Sequence, residues 1–92
     1  MPPDPHPLAV ARLLVTAVDW PGVQRVVVLL TARGYAVDSF AATPSTPPGS
    51  WEVRLVLRCR PAELLLLSAR LERLPSVTSV RTGRPAGERP AP

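Results

Sequence analysis

Cysteine and histidine are nearly missing from this chain of 92 residues, which has only Cys59 and His6. A lone cysteine excludes an intrachain disulfide and makes a reducing compartment the simpler expectation. One cysteine and one histidine so far apart do not make a metal-ligand set, so no metal site is expected. Aromatic residues are 4% of the chain, and a core built from such a sequence must be aliphatic. Long hydrophobic runs are absent as well: Val26 to Leu30 and Leu64 to Leu67 fall far short of the roughly 18 residues that suggest a membrane span. The opening Met1-Pro2-Pro3-Asp4-Pro5-His6-Pro7 has no basic cluster, and Arg12 interrupts the apolar run behind it, so a signal peptide is not expected and the cytoplasm is. Lysine does not occur. All 11 basic residues are arginine against 7 acids, a net charge of +4 that permits an acidic partner without demanding one.

The same scarcity bears on catalysis. His6 lies in a proline-rich stretch, Cys59 sits at a strand end, and the acids are scattered one per element. No nucleophile, base and orienting group can be grouped, and no carboxylates are paired at a useful spacing. No phosphate-binding glycine loop or dinucleotide fingerprint occurs. Catalytic residues are therefore expected to be none.

What the sequence does have is period. With 46% apolar residues, the chain is one small domain with a modest core. Leu13 to Val18 is an apolar, β-branched run that stops at Pro21-Gly22 and reads as a strand handing over to a helix. Strand one spans about Val10 to Val18, with Ala11, Leu13, Val15 and Ala17 on the side that meets helices. Helix one spans about Gly22 to Arg33. Its apolar face is Val23, Val26, Val27 and Leu30, Pro21 fits a first turn that needs no amide donor, and Gly34 sits where a left-handed cap belongs. Val28 and Leu29 broaden that face, which suits either contact with a second subunit or deep burial in the domain itself.

Strand two covers about Tyr35 to Ala42, and the turn-rich Thr43 to Ser50 joins it to strand three as a hairpin. In strand three Trp51, Val53, Leu55 and Leu57 alternate with Glu52, Arg54, Val56 and Arg58, so one face is buried. Pro61-Ala62-Glu63 opens helix two, whose apolar face is Leu64, Leu67, Ala69, Leu71 and Leu74. Pro75-Ser76 breaks it, and a last strand runs from Val77 to about Thr82. The order βαββαβ is that of an α+β, ferredoxin-like domain: a four-stranded antiparallel sheet with two helices on one face. The division expected is a Pro-rich disordered tail over residues 1–8, the domain over 9–82, and a second disordered tail over 83–92.

The start of helix one is the candidate binding site. The first amides of a helix lack partners and, with the helix dipole, suit an anion such as an amino acid's carboxylate. Asp19 at the strand end either accepts the ammonium group or simply caps the helix. Elsewhere Arg54 and Arg58 share the polar side of strand three with Arg60 beyond and Arg12 beside them. Such a face can hold RNA in ferredoxin-like domains, but the positions for stacking aromatics carry Glu52 and Val56. A solvated face or contact with an acidic patch on a larger protein is the simpler reading. Trp20 and Trp51 suit loop packing, or for Trp20 an interface.

Asp19-Trp20-Pro21-Gly22-Val23-Gln24-Arg25-Val26, followed by Ala32-Arg33-Gly34-Tyr35-Ala36-Val37-Asp38-Ser39, resembles the strand, Pro-Gly, helix, Arg-Gly-aromatic pattern of ACT domains. With Pro61 opening helix two and Leu71-Glu72-Arg73-Leu74-Pro75-Ser76-Val77 closing it, the chain looks like the short small subunit of acetolactate synthase. The resemblance runs from about Leu13 to Val80. It implies a regulatory subunit that is not an enzyme, pairs through its ACT domain, and binds and activates the synthase large subunit. Thiamine diphosphate, magnesium and FAD are then expected on that large subunit and no cofactor on this chain. It also implies a valine, leucine or isoleucine effector held by Asp19, Pro21, Gly22 and Val23, with Ala36, Val37 and Asp38 across the interface. Where such subunits usually have asparagine, this chain has Asp19, which keeps an acceptor, and Ala36, which does not. The alternative is a free-standing ACT domain that senses an amino acid and regulates another enzyme.

Overall fold

The computed structural model describes residues 8–83. Its elements are β1 (Ala9–Ala17), α1 (Trp20–Ala32), β2 (Ala36–Pro44), β3 (Trp51–Cys59), α2 (Pro61–Glu72) and β4 (Val77–Gly83). The two expected tails fall outside the described residues except for Leu8, which precedes β1, and Gly83, which ends β4.

The alternation in β1 and β3 sets the sheet. Ala11, Leu13, Val15 and Ala17 are buried, as are Val53, Leu55, Leu57 and Cys59, while their neighbours along each strand are more open. These two sets share one face because the register places Leu13 opposite Leu55 and Val15 opposite Val53. The strand order is β2-β3-β1-β4 with every adjacent pair antiparallel, the ferredoxin-like arrangement expected from the sequence. β1 and β3 are central; β2 and β4 are the outer strands. Pro44, which has no amide to donate, falls at the end of an outer strand, where that loss is tolerated.

α1 lays Val23, Val26 and Leu30 on the sheet, and α2 adds Leu67 and Leu71. The core is aliphatic throughout, with Trp51 and Tyr35 packed against it from the side. Each of its fully buried large side chains contributes about 1.5–3 kcal/mol relative to exposure. α1 ends as expected at Gly34, whose φ of 68° is the left-handed conformation. Tyr35 N donates to Leu30 O and Gly34 N to Thr31 O, so the last carbonyls of the helix are satisfied by a Schellman motif. α2 begins at Pro61, and Glu63 reaches back to accept from the backbone N–H of Arg60 at 2.9 Å.

Two expectations about the helix faces are corrected. Val27, grouped by spacing with the buried stripe of α1, is 43% exposed. The contact line runs through Val23, Val26 and Leu30, and Val27 flanks it; Val28 on the far side is 65% exposed. In α2 the line runs through Leu64, Leu67, Leu71 and Leu74, which turns Ala69 to solvent. β2 also extends two residues beyond its expected end, to Pro44, and Ser45 N donates to Ser50 O to close the hairpin.

Candidate functional site

Only Val18 and Asp19 separate the end of β1 from the start of α1. Asp19 is extended, with φ of −154° and ψ of 170°, and stands as the N-cap. Its Oδ1 accepts from Gly22 N at 2.9 Å, satisfying one of the amides that a helix start leaves open. Its Oδ2 accepts from Ser76 Oγ at 3.1 Å. Ser76 Oγ in turn accepts from Arg25 Nη1 at 3.4 Å, and Ser76 O accepts from Val18 N at 2.8 Å. The turn after α2 is thus tied to the start of α1.

Pro21 is exposed in the first turn, and Gly22 and Val23 are buried beneath it. A Cβ on Gly22 would meet Ala17 Cβ and Ser76 Cβ at 3.0 Å each, so glycine here allows the helix to approach β1 and the turn before β4. Trp20 is 47% exposed and packs edge-on against Trp51, with ring centroids 4.7 Å apart. One side of this helix start is therefore an aromatic wall. Both Asp19 oxygens already accept a bond within the chain. A carboxylate has about four lone-pair positions, so room for a further donor is left on each oxygen.

Ala36, Val37 and Asp38 begin β2 at the other end of the sheet. Ala36 pairs with Arg58, Arg58 with Val10, and Val10 lies near the start of β1, whereas Asp19 follows its end. A nine-residue strand separates the two groups by roughly 26 Å. The fold brings Asp19, Pro21, Gly22 and Val23 together and does not bring the β2 residues to them within one chain. Asp38 is the extra residue of a bulge between Val37 and Ser39, and its Oδ2 accepts from Arg58 Nε at 3.0 Å. Val37 and Phe40 sit opposite buried Leu57 and Leu55, yet each is 37% exposed, because the helices do not reach over this outer strand.

Sequence reasoning missed Ser76 and Arg25. Pro75-Ser76 was legible as a helix stop, but nothing local marks a serine 57 residues away as the partner of Asp19. Among the described residues no group of three or more His, Cys, Asp and Glu is placed to hold a metal ion, and no helix is long and apolar enough to cross a membrane. Cys59 is buried, and burial, with Glu63 nearby, pushes its thiol above the ordinary range. That environment opposes a nucleophilic thiolate.

No protein-family model matches the chain, and no curated protein matches it by sequence. Solved structures do match it. An uncharacterized protein from Thermotoga maritima is 20% identical with a TM-score of 0.71, over 86% of this chain and 98% of that one. The ACT domain from the GTP pyrophosphokinase of Chlorobium tepidum is 12% identical, also at 0.71, over 82% of this chain and 97% of that one. The C-terminal domain of the MgtC protein from Mycobacterium tuberculosis is 17% identical at 0.66, over 89% and 92%. The fold is that of an ACT domain.

Proposed function

We propose that this chain is a non-catalytic regulatory subunit that binds and activates the large subunit of acetolactate synthase in branched-chain amino-acid biosynthesis. It works as a homodimer in the cytoplasm, and valine, leucine or isoleucine is its effector. The observation that carries the reading is an open sheet edge: β2 is an outer strand whose far edge meets no described strand, and Asp19 to Val23 lie at the opposite end of the domain from Ala36 to Asp38. Pairing two β2 strands antiparallel about a twofold axis near Phe40 reverses one against the other. Ala36, Val37 and Asp38 of one protomer then stand level with Pro44 of its partner, the end of the sheet at which Asp19 lies. The pairing also covers Val37 and Phe40 and removes an open edge.

In this site the effector carboxylate faces the start of α1, where the dipole favours negative charge. Its ammonium group donates to the lone pairs of Asp19 that Gly22 and Ser76 leave open. Thiamine diphosphate, magnesium and FAD belong to the large subunit, whose catalysis this chain modulates.

The test is acetolactate formation by the large subunit of the same organism, with and without this chain, followed by a valine titration and by sedimentation of Phe40→Glu. Activation, inhibition by valine and a monomeric variant are the expected results. Activation without a valine response means that the chain assembles the enzyme without sensing. Unchanged activity together with retained amino-acid binding moves the assignment to a free-standing sensor that regulates another enzyme.

A further inference from the structure

Where α1 ends and α2 begins, the chain forms a cleft of about 480 Å³ lined by Arg33, Arg58, Arg60 and Arg70, with Tyr35 between them and Glu63 as the single carboxylate among the described lining residues. Three separate elements supply these arginines: Arg33 caps the end of α1, Arg58 is the last residue but one of β3, Arg60 is the N-cap of α2 and Arg70 lies in its last turn. Bringing like charges to one concavity raises the energy of the folded chain unless an opposite charge shares the space.

We propose that this cleft binds a phosphorylated small molecule of about nucleotide size. The volume lies within the range of small-molecule sites. Glu63 accepts from Arg60 N at 2.9 Å and lies 3.9 Å from the Arg60 guanidinium, so it pairs with Arg60 and leaves Arg33 and Arg70 without a carboxylate partner among the described residues. Arg70 Nη1 donates to Tyr35 Oη at 3.3 Å, which orients that guanidinium at the wall of the cleft and spends one of its five N–H donors. Arg58 is held by Asp38 from the edge of β2 at 3.0 Å. Guanidinium groups match the oxygen geometry of phosphate by paired bonds. The start of α2, marked by Arg60 and Glu63 in the lining, adds the positive end of its dipole.

The charge of the lining also selects the ligand class. With Arg58 paired to Asp38 and Arg60 to Glu63, Arg33 and Arg70 still leave the cleft net positive, which repels the ammonium group of a free amino acid and favours a dianion or polyanion. Among the residues assigned to the effector in the preceding reading, only Ala36 lines this cleft, and the inference stands without that reading.

The test is a titration of the ¹⁵N-labelled chain with inorganic pyrophosphate and with adenosine diphosphate, at an ionic strength held constant with chloride. Saturable shifts of the Arg33, Gly34, Tyr35 and Arg58 amides are expected. Affinity falls about tenfold or more in Arg33→Ala/Arg70→Ala. Arg54→Ala/Arg81→Ala removes the same charge from two arginines that do not line the cleft and leaves the affinity unchanged. Should loss of the Arg70 bond to Tyr35 unfold the first variant, Arg33→Ala/Arg58→Ala makes the same comparison. Linear, unsaturable shifts, or equal weakening by both double variants, overturn the proposal. So does tighter binding of single-stranded RNA at the same residues, which would make the cleft part of a nucleic-acid surface.

Discussion

Asp19 and Ser76, 57 residues apart, are joined by a hydrogen bond of 3.1 Å from the serine hydroxyl to Oδ2, while Oδ1 of the same carboxylate caps the helix at Gly22 N. One side chain thus closes the start of α1 and holds the turn that leads from α2 into β4. Ser76 has a φ of 73°, an uncommon conformation for a residue with a side chain, and its backbone carbonyl is fixed by Val18 N at 2.8 Å. The strand end, the helix start and the last turn form one small network.

Asp19→Ala removes the cap and the acceptor of Ser76 together. The expected loss is about 1–2 kcal/mol, read as a fall in the thermal midpoint. For a domain of this size each kcal/mol corresponds to about 4–8 °C. Asp19→Asn keeps a capping oxygen and is expected to cost less than half as much. Equal midpoints for the alanine variant and the parent would show that the network carries no stability.

Gly22→Ala and Gly34→Ala are expected to destabilise for different reasons. At Gly22 the added methyl meets two Cβ atoms at 3.0 Å, and the crowding, about 1–3 kcal/mol, outweighs the roughly 1 kcal/mol that alanine gains in a helix. At Gly34 no atom lies within 4 Å, and the cost is the left-handed backbone alone, about 1–2 kcal/mol. Denaturant midpoints separate the two cases when Gly22→Asn and Gly34→Asn are compared with the alanine variants. Asparagine recovers part of the loss at position 34, where it tolerates φ > 0, and deepens it at position 22. A Gly22→Asn variant more stable than Gly22→Ala would contradict the packing seen there.

Cys59 is expected to react slowly with a thiol reagent in the native protein and rapidly once unfolded. Its thiol is raised first by burial and then by the charge of Glu63, so the native chain holds less thiolate at mildly alkaline pH than a free cysteine does. Because the folded value is raised, the stability tied to the neutral thiol is complete below the ordinary thiol range and is lost as pH rises through it. Glu63→Gln removes only the smaller of the two causes and is expected to leave most of the protection. Equal native and unfolded rates would exclude a buried thiol.

The regular features of this fold were legible because they are local. The two-residue period of Trp51 to Cys59 and the 3.6-residue period of Val23 to Leu30 state which side chains share a face, and Gly34 and Pro61 mark where helices stop and start. Of the candidate site, the stretch Asp19 to Val23 was legible for the same reason, as a cap, a first-turn proline and a glycine in sequence. Spacing alone did not show that Val27 flanks the contact line of α1, since a helix with a broad apolar face can be laid on a sheet at more than one rotation.

By itself the sequence determined the order βαββαβ, the aliphatic core and the place where α1 starts, because each depends on neighbours along the chain. Tertiary structure alone decided that Ser76 completes the cap, that Val37 and Phe40 on β2 stay uncovered, and that Arg33, Arg58, Arg60 and Arg70 line one cleft. These residues come from elements far apart in sequence, and their meeting follows from the strand order and the way the helices lie on the sheet, which no local period encodes.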